Sequence, residues 1–97
     1  MTAVKRTRFV VRGRVQGVNF RAAAVREASV RRVTGRVWNR DDGAMELVAE
    51  GDETALAEFA RWLRQGPWLA EVESVECSEL GGERRYRDFD IADGPAG

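Results

Sequence analysis

Near the start of the chain Phe9, Val11 and the small Gly13 are interleaved with Arg8, Val10 and Arg12, a period-2 pattern that predicts a first strand with one apolar face. Residues 20–32 then run through alanine and arginine without Gly or Pro, and Ala24, Val25 and Ala28 form a stripe. This predicts a helix whose small side chains let it sit close on a sheet. Thr34-Gly35 ends that helix, and Arg36-Val37-Trp38-Asn39 begins a second strand. Asp41-Asp42-Gly43 is a hairpin signal, and Met45, Leu47 and Ala49 continue into a third strand. Leu56, Phe59, Ala60 and Leu63 fall at i, i+3, i+4 and i+7 of a second helix, with Asp52 as its N-cap and Gly66-Pro67 as its stop. Ala70 and Val72 change phase to Val75 and Cys77, which predicts a strand with a bulge near Ser74. Phe89 and Ile91 alternate in a short closing strand, and residues 92–97 read as a loose tail.

These elements spell βαββαβ with a short extra strand. That is the split-βαβ arrangement of ferredoxin-like α+β folds, with two helices on one face of an antiparallel sheet. A chain of 97 residues suits one core and is too short for two. A single domain is expected over residues 1–97, with its core at about 7–91 and no internal repeat or linker. A hydrophobic share of 43% with zero net charge lies far from the composition of disordered chains. No stretch approaches the roughly 18 apolar residues of a membrane span, and no leader pattern follows Met1. The expectation is a cytoplasmic protein with no membrane partner.

Cysteine and histidine usage narrows the chemistry. Cys77 is the only cysteine, so no internal disulfide can form, and its place in an alternating run reads as a small buried hydrophobe. Without histidine a zinc site would have to draw largely on carboxylates, an unusual ligand set. The same absence leaves no side chain whose unperturbed pKa lies between about 5 and 8 to act as general base. No metal and no cofactor are expected. Asp41 and Asp42 read as turn residues rather than as Mg²⁺ ligands.

Charge changes the picture in a different way. Residues 1–40 hold Lys5 and ten arginines against Glu27, a balance of +10, whereas residues 41–97 hold five arginines against fifteen acids, a balance of −10. Such asymmetry can signal a nucleic-acid partner. In a βαββαβ sheet, however, strands of the two halves interleave, so opposite charges are expected to become neighbours and cancel.

The segment that carries chemistry is Gly13-Arg14-Val15-Gln16-Gly17-Val18-Asn19-Phe20-Arg21, where a strand passes through two glycines into a helix start. Glycines let successive N–H groups point into one concavity, and a helix N-terminus adds its own unpaired donors and positive dipole, a geometry that binds phosphate. Arg21 stands in the first helical turn, at the unfavourable end of the dipole unless an anion sits there. The spacing is neither that of a dinucleotide fingerprint nor that of a P-loop. On the residues alone, a tight structural turn and a phosphate cradle both remain open.

The run GRVQGVNFR resembles the substrate loop of the acylphosphatase family. Thr34-Gly35-Arg36-Val37-Trp38-Asn39 is similar to the family's T-G-x-V-x-N segment, and the likeness continues through Asp42-Gly43, Glu50-Gly51, Phe59-Trp62-Leu63, Gly66-Pro67 and Phe89-Asp90-Ile91. The resemblance implies hydrolysis of the carboxyl-phosphate anhydride of acyl phosphates. It implies that Arg21 and the amides of Val15, Gln16, Gly17, Val18, Asn19 and Phe20 hold the phosphate, while Asn39 holds the attacking water. A monomer acting on a small-molecule substrate, without metal, cofactor or nucleic acid, is the expectation. Arg36 and Trp38 depart from the commoner residues but lie on the strand face opposite Asn39. Asn19 either lines the site or caps the helix, with capping the expected role, and Ala22 is expected to widen the pocket mouth. Two other classes stay in view: a noncatalytic acyl- or carbamoyl-phosphate-binding module, and a nucleic-acid-binding ferredoxin-like domain. The latter would need exposed aromatics on strands one and three, where only Phe9 stands.

Overall fold

The structure is a computed structural model that describes residues 3–95. Its elements follow the predicted order: β1 (Lys5–Arg14), α1 (Phe20–Val30), β2 (Thr34–Asn39), β3 (Met45–Gly51), α2 (Glu53–Gln65), β4 (Glu71–Leu80) and β5 (Phe89–Ile91). The strands form one sheet in the order β4-β1-β3-β2-β5. Strands β1 to β4 pair antiparallel, and β5 lies parallel to β2 along Gly35–Val37. The sheet is therefore mixed rather than wholly antiparallel. The reason is that the segment after Leu80 crosses from one edge of the sheet to the other before β5 begins.

Both helices cover the face to which Phe9, Val11, Val37, Met45 and Leu47 point, and these residues pack with Phe20, Ala24, Ala28, Phe59, Leu63 and Phe89 in one buried cluster. Phe59 meets Phe9 and Phe89 edge-on, and Phe20 meets Trp62 with centroids 5.5 Å apart. The alanines of α1 allow this close approach. Helix α1 is shorter than the periodicity predicts, ending at Val30, because Arg32 takes a left-handed φ of 57° that turns Val33 into the core. Helix α2 starts as read: the Asp52 carboxylate accepts from Ala55 N at 2.7 Å. Asp52→Ala is expected to lower stability by about 1 kcal/mol, measured as a shift of the urea midpoint at constant slope.

The predicted bulge is present one residue before Ser74. Arg12 pairs with Ser74 but Gly13 pairs with Val72, so Glu73 is the extra residue. Gly13, with φ of 126°, is fitted to it, since a Cβ there would strike the Glu71 carbonyl and stand 2.8 Å from Glu73 N. Cys77 departs from its reading, for it is exposed. It faces the helix side opposite Phe9, but β4 is an edge strand that α2 covers only in part, so alternation identified the face and not the cover.

On the helix-free face the two charged halves of the sequence meet. Arg8 binds Glu46 and Arg12 binds Glu76, each at 2.7 Å, and Arg40 reaches both Asp42 and Glu46. These contacts raise the Arg8 and Arg12 pKa values, mainly through the bonds to Glu46 and Glu76, and lower that of Glu76 through Arg12. The cancellation expected from strand interleaving is thus made by direct pairing. Over the same face runs the segment from Gly81 to Asp88. The Gly81 carbonyl accepts from Arg6, Arg84 bonds Thr34, and Tyr86 lies under the Arg36 guanidinium. Its anchor is Glu50, wholly buried, which accepts from Arg6 Nε at 2.7 Å and from the backbone N–H groups of Arg85 and Tyr86 at 2.9 Å. Beyond β5, Ala92 N still donates to Val37 O, so pairing continues one residue into the stretch read as a tail. The last two residues of that stretch lie outside the described ones.

Candidate active site

A cavity of about 200 Å³ opens where the β1–α1 loop meets the end of β2, lined by Val15, Gly17, Asn19, Phe20, Arg21, Ala22, Asn39 and Ile91. It is smaller than the pockets that enclose drug-sized ligands. The loop is shaped by alternating backbone signs. Gly17 has φ of 75° and Asn19 of 65°, while Val18 between them is not left-handed. Such alternation turns consecutive N–H groups toward one side. Among the described residues, no backbone hydrogen bond uses the N–H groups of Gln16 to Ala22 outside the helix and strand ladders. Helix α1 begins at this point and has no acidic residue in its first turn.

The side chains of the predicted site divide in three. Arg21 is half-buried on the cavity wall and, among the described residues, makes no ion pair and no side-chain hydrogen bond. Asn39, the last residue of β2, places its Oδ1 in the same region, buried and without a partner. These two and the free N–H groups are brought together. Val18 and Phe20 instead turn their side chains to the core, Phe20 against Trp62, and can offer the cavity mainly their backbone. Gln16 also turns away: its amide donates to the carbonyls of Arg40 at 2.8 Å and Ala44 at 3.0 Å.

Asn19 corrects an expectation. It occupies the N-cap position, but its side chain makes no cap hydrogen bond, because a left-handed cap residue (φ 65°, ψ 25°) does not aim its side chain at the N–H groups of the next turn. It lines the cavity instead. Of the two glycines in the motif only Gly17 shapes the loop, since Gly13 belongs to the bulge. Sequence reasoning did not find Ile91 on the wall; its strand was legible, but its place beside α1 depends on the parallel pairing with β2.

Just beyond Asn39 the hairpin is held by Asp42, whose Oδ1 accepts from Ala44 N at 3.1 Å. That bond, followed by attraction from Arg40, outweighs the opposing effect of desolvation and keeps the Asp42 carboxyl below the usual range. Asp42 therefore supports the turn at neutral pH and ceases to do so as pH falls through its lowered value. Among the described residues no group of three His, Cys, Asp or Glu side chains is placed to hold a metal ion.

Fold and cavity together define a ferredoxin-like α+β sandwich with a cationic, donor-rich corner between its first strand and first helix. Residues 7–91 match the family model described as Acylphosphatase. An acylphosphatase from Methylococcus capsulatus is 42% identical over 88 residues, covering 91% of this chain and 96% of that protein. One from Pasteurella multocida is 46% identical over 83 residues, covering 86% and 92%. The crystal structure of acylphosphatase from Bacillus subtilis superposes with a TM-score of 0.87 at 38% identity, covering 91% of this chain and 98% of that one. The chain belongs to the acylphosphatase family, and its function is that of an acylphosphatase, a hydrolase.

Proposed function

We propose that the cavity at the β1–α1 corner is the active site, with Arg21 and the amides of residues 15–20 holding the phosphoryl group of an acyl phosphate and Asn39 holding water. What supports this is the meeting on the wall of one small cavity of Asn39, of a half-buried Arg21 that has no carboxylate partner among the described residues, and of loop residues whose N–H groups make no backbone hydrogen bond there. Arg21 clamps two phosphoryl oxygens, and the loop amides offset the charge on the third. The Asn39 side-chain amide holds the water and fixes its oxygen for attack on phosphorus. As the new P–O bond forms, the bond to the acyl oxygen breaks and a carboxylate leaves with the electron pair. A carboxylate is stable as an anion, so no acid has to protonate it. The water's proton passes to a phosphate oxygen of the substrate, and histidine is not needed.

The reaction so assigned needs no metal. Benzoyl phosphate is expected to be hydrolysed at the same rate with and without a strong chelator; a loss on chelation that Mg²⁺ restores would contradict the assignment. Saturable phosphate binding without turnover would instead favour a binding module. A monomer, a cytoplasmic location and the absence of a nucleic-acid partner belong to the same proposal. No helix among the described residues is long and apolar enough to cross a membrane. Arg6, Arg8, Arg12 and Arg40 of the basic first half are paired with carboxylates on the helix-free side of the sheet, which reduces the positive field a nucleic acid would meet.

A further inference from the structure

We infer that the Gln16 side chain is a positioning residue for the water-holding Asn39, acting as a latch between the phosphate loop and the β2–β3 hairpin. The inference rests on the assignment of Asn39 to water made above. It starts from what does not hold Asn39. Among the described residues its side chain makes no hydrogen bond and its Oδ1 is buried, so the amide is placed by the packing around it and by the backbone at the end of β2. There Asn39 pairs with Met45, and the turn beyond closes through Arg40 N to Ala44 O at 2.8 Å.

Gln16 grips that closure. Its Nε2 donates to the Arg40 carbonyl, on the residue after Asn39, and to the Ala44 carbonyl, which already accepts from Arg40 N. Among the described residues these are the only side-chain hydrogen bonds between residues 15–19 and the hairpin. Ala44 is thereby fixed at both ends, its N–H by Asp42 and its C=O by Gln16. A backbone segment of the loop thus sits one side chain away from the backbone that carries Asn39. The spacing between phosphate and water is set by that link, and small errors in such spacing are costly to rate.

The chemistry of the link is specific. Two carbonyl oxygens need two donors on one nitrogen, which a primary amide supplies and neither a carboxylate nor a thioether does. Gln16→Met keeps length and loses both donors. Gln16→Asn keeps the donors but is one methylene too short to reach both acceptors.

The test is a double-mutant cycle read in turnover of benzoyl phosphate, with inorganic phosphate inhibition measured alongside. Gln16→Met is expected to lower kcat about 10-fold while the phosphate inhibition constant stays within about twofold, since it disturbs the water and not the cradle. In the Asn39→Ala background the same substitution is expected to cost less than about twofold, because no positioned water remains to be displaced. An equal fold loss in both backgrounds, an unchanged kcat, or a rise in the inhibition constant that matches the loss in kcat would overturn the latch. Should Gln16→Met fail to fold, the cycle is run with Gln16→Asn under the same criteria. Asn39→Ala alone separates the two levels: if it leaves kcat unchanged, the water assignment fails; if it lowers kcat but the cycle is additive, only the latch fails.

Discussion

Arg21→Ala is expected to lower turnover of an acyl phosphate by about 10³–10⁵, the range seen when an arginine that stabilises phosphoryl-transfer charge is lost. It should weaken inhibition by inorganic phosphate as well. Both effects follow from position: the guanidinium lies on the cavity wall in the first turn of α1, and no carboxylate among the described residues engages it. A charge-assisted contact to phosphate exists in ground and transition states alike, so binding and rate fall together. Asn39→Ala should behave differently, lowering kcat by about 10²–10³ with phosphate inhibition nearly intact, because it acts on water alone. Arg21→Lys is the finer variant. Lysine keeps the charge but lacks the planar fork, and a bidentate site should not recover with it. Full activity in Arg21→Lys, or loss of phosphate binding in Asn39→Ala, would show that the roles are wrongly divided.

Glu50→Ala is expected to destabilise the fold by about 3–5 kcal/mol, the cost of removing one partner from a buried ion pair. The carboxylate is wholly buried and satisfies three donors: Arg6 Nε and the N–H groups of Arg85 and Tyr86. Its loss leaves the Arg6 guanidinium, itself only 6% exposed, without a counter-charge and with only the Gly81 carbonyl to accept from it, and releases the crossing segment that leads into β5. Arg6→Ala should cost less, since Glu50 would keep its two backbone donors. A urea titration decides this: a midpoint shift worth less than about 1 kcal/mol for Glu50→Ala would mean that water replaces the lost partner. The surface pairs are a useful contrast. Lys5 and Glu79, 3.6 Å apart and largely exposed, should contribute little when either is replaced.

What the sequence revealed and what it hid follow a physical divide. The apolar period of α2, its Asp52 cap and the phase change in β4 are local signals; the first two are where the pattern placed them, and the bulge falls at Glu73, one residue before the Ser74 it pointed to. The loop, Arg21 and Asn39 were legible through the motif, and the structure brings them to one cavity. Burial imposed by distant chain was not legible. Glu50 occupies a strand position facing away from the helices, where a carboxylate normally meets solvent, and it is buried only because residues 81–88 fold over it. Val10 and Trp38, on that same outward face, are nearly inaccessible. Cys77 is the converse, a core-facing position left open by an edge strand. The side-chain bonds of Gln16 to residues more than twenty positions away leave no trace in local pattern.

The strand order β4-β1-β3-β2-β5 has a consequence for how the protein is made. The strand that leaves the ribosome first, β1, becomes an interior strand of the sheet, and its two neighbours are β3 and the much later β4. Its arginines emerge tens of residues before the glutamates that neutralise them. Vectorial assembly of the sheet, strand by strand, is therefore closed to this chain. Folding has to wait for residues 71–80 and then close loops spanning most of the sequence, which slows it relative to small proteins built from local contacts.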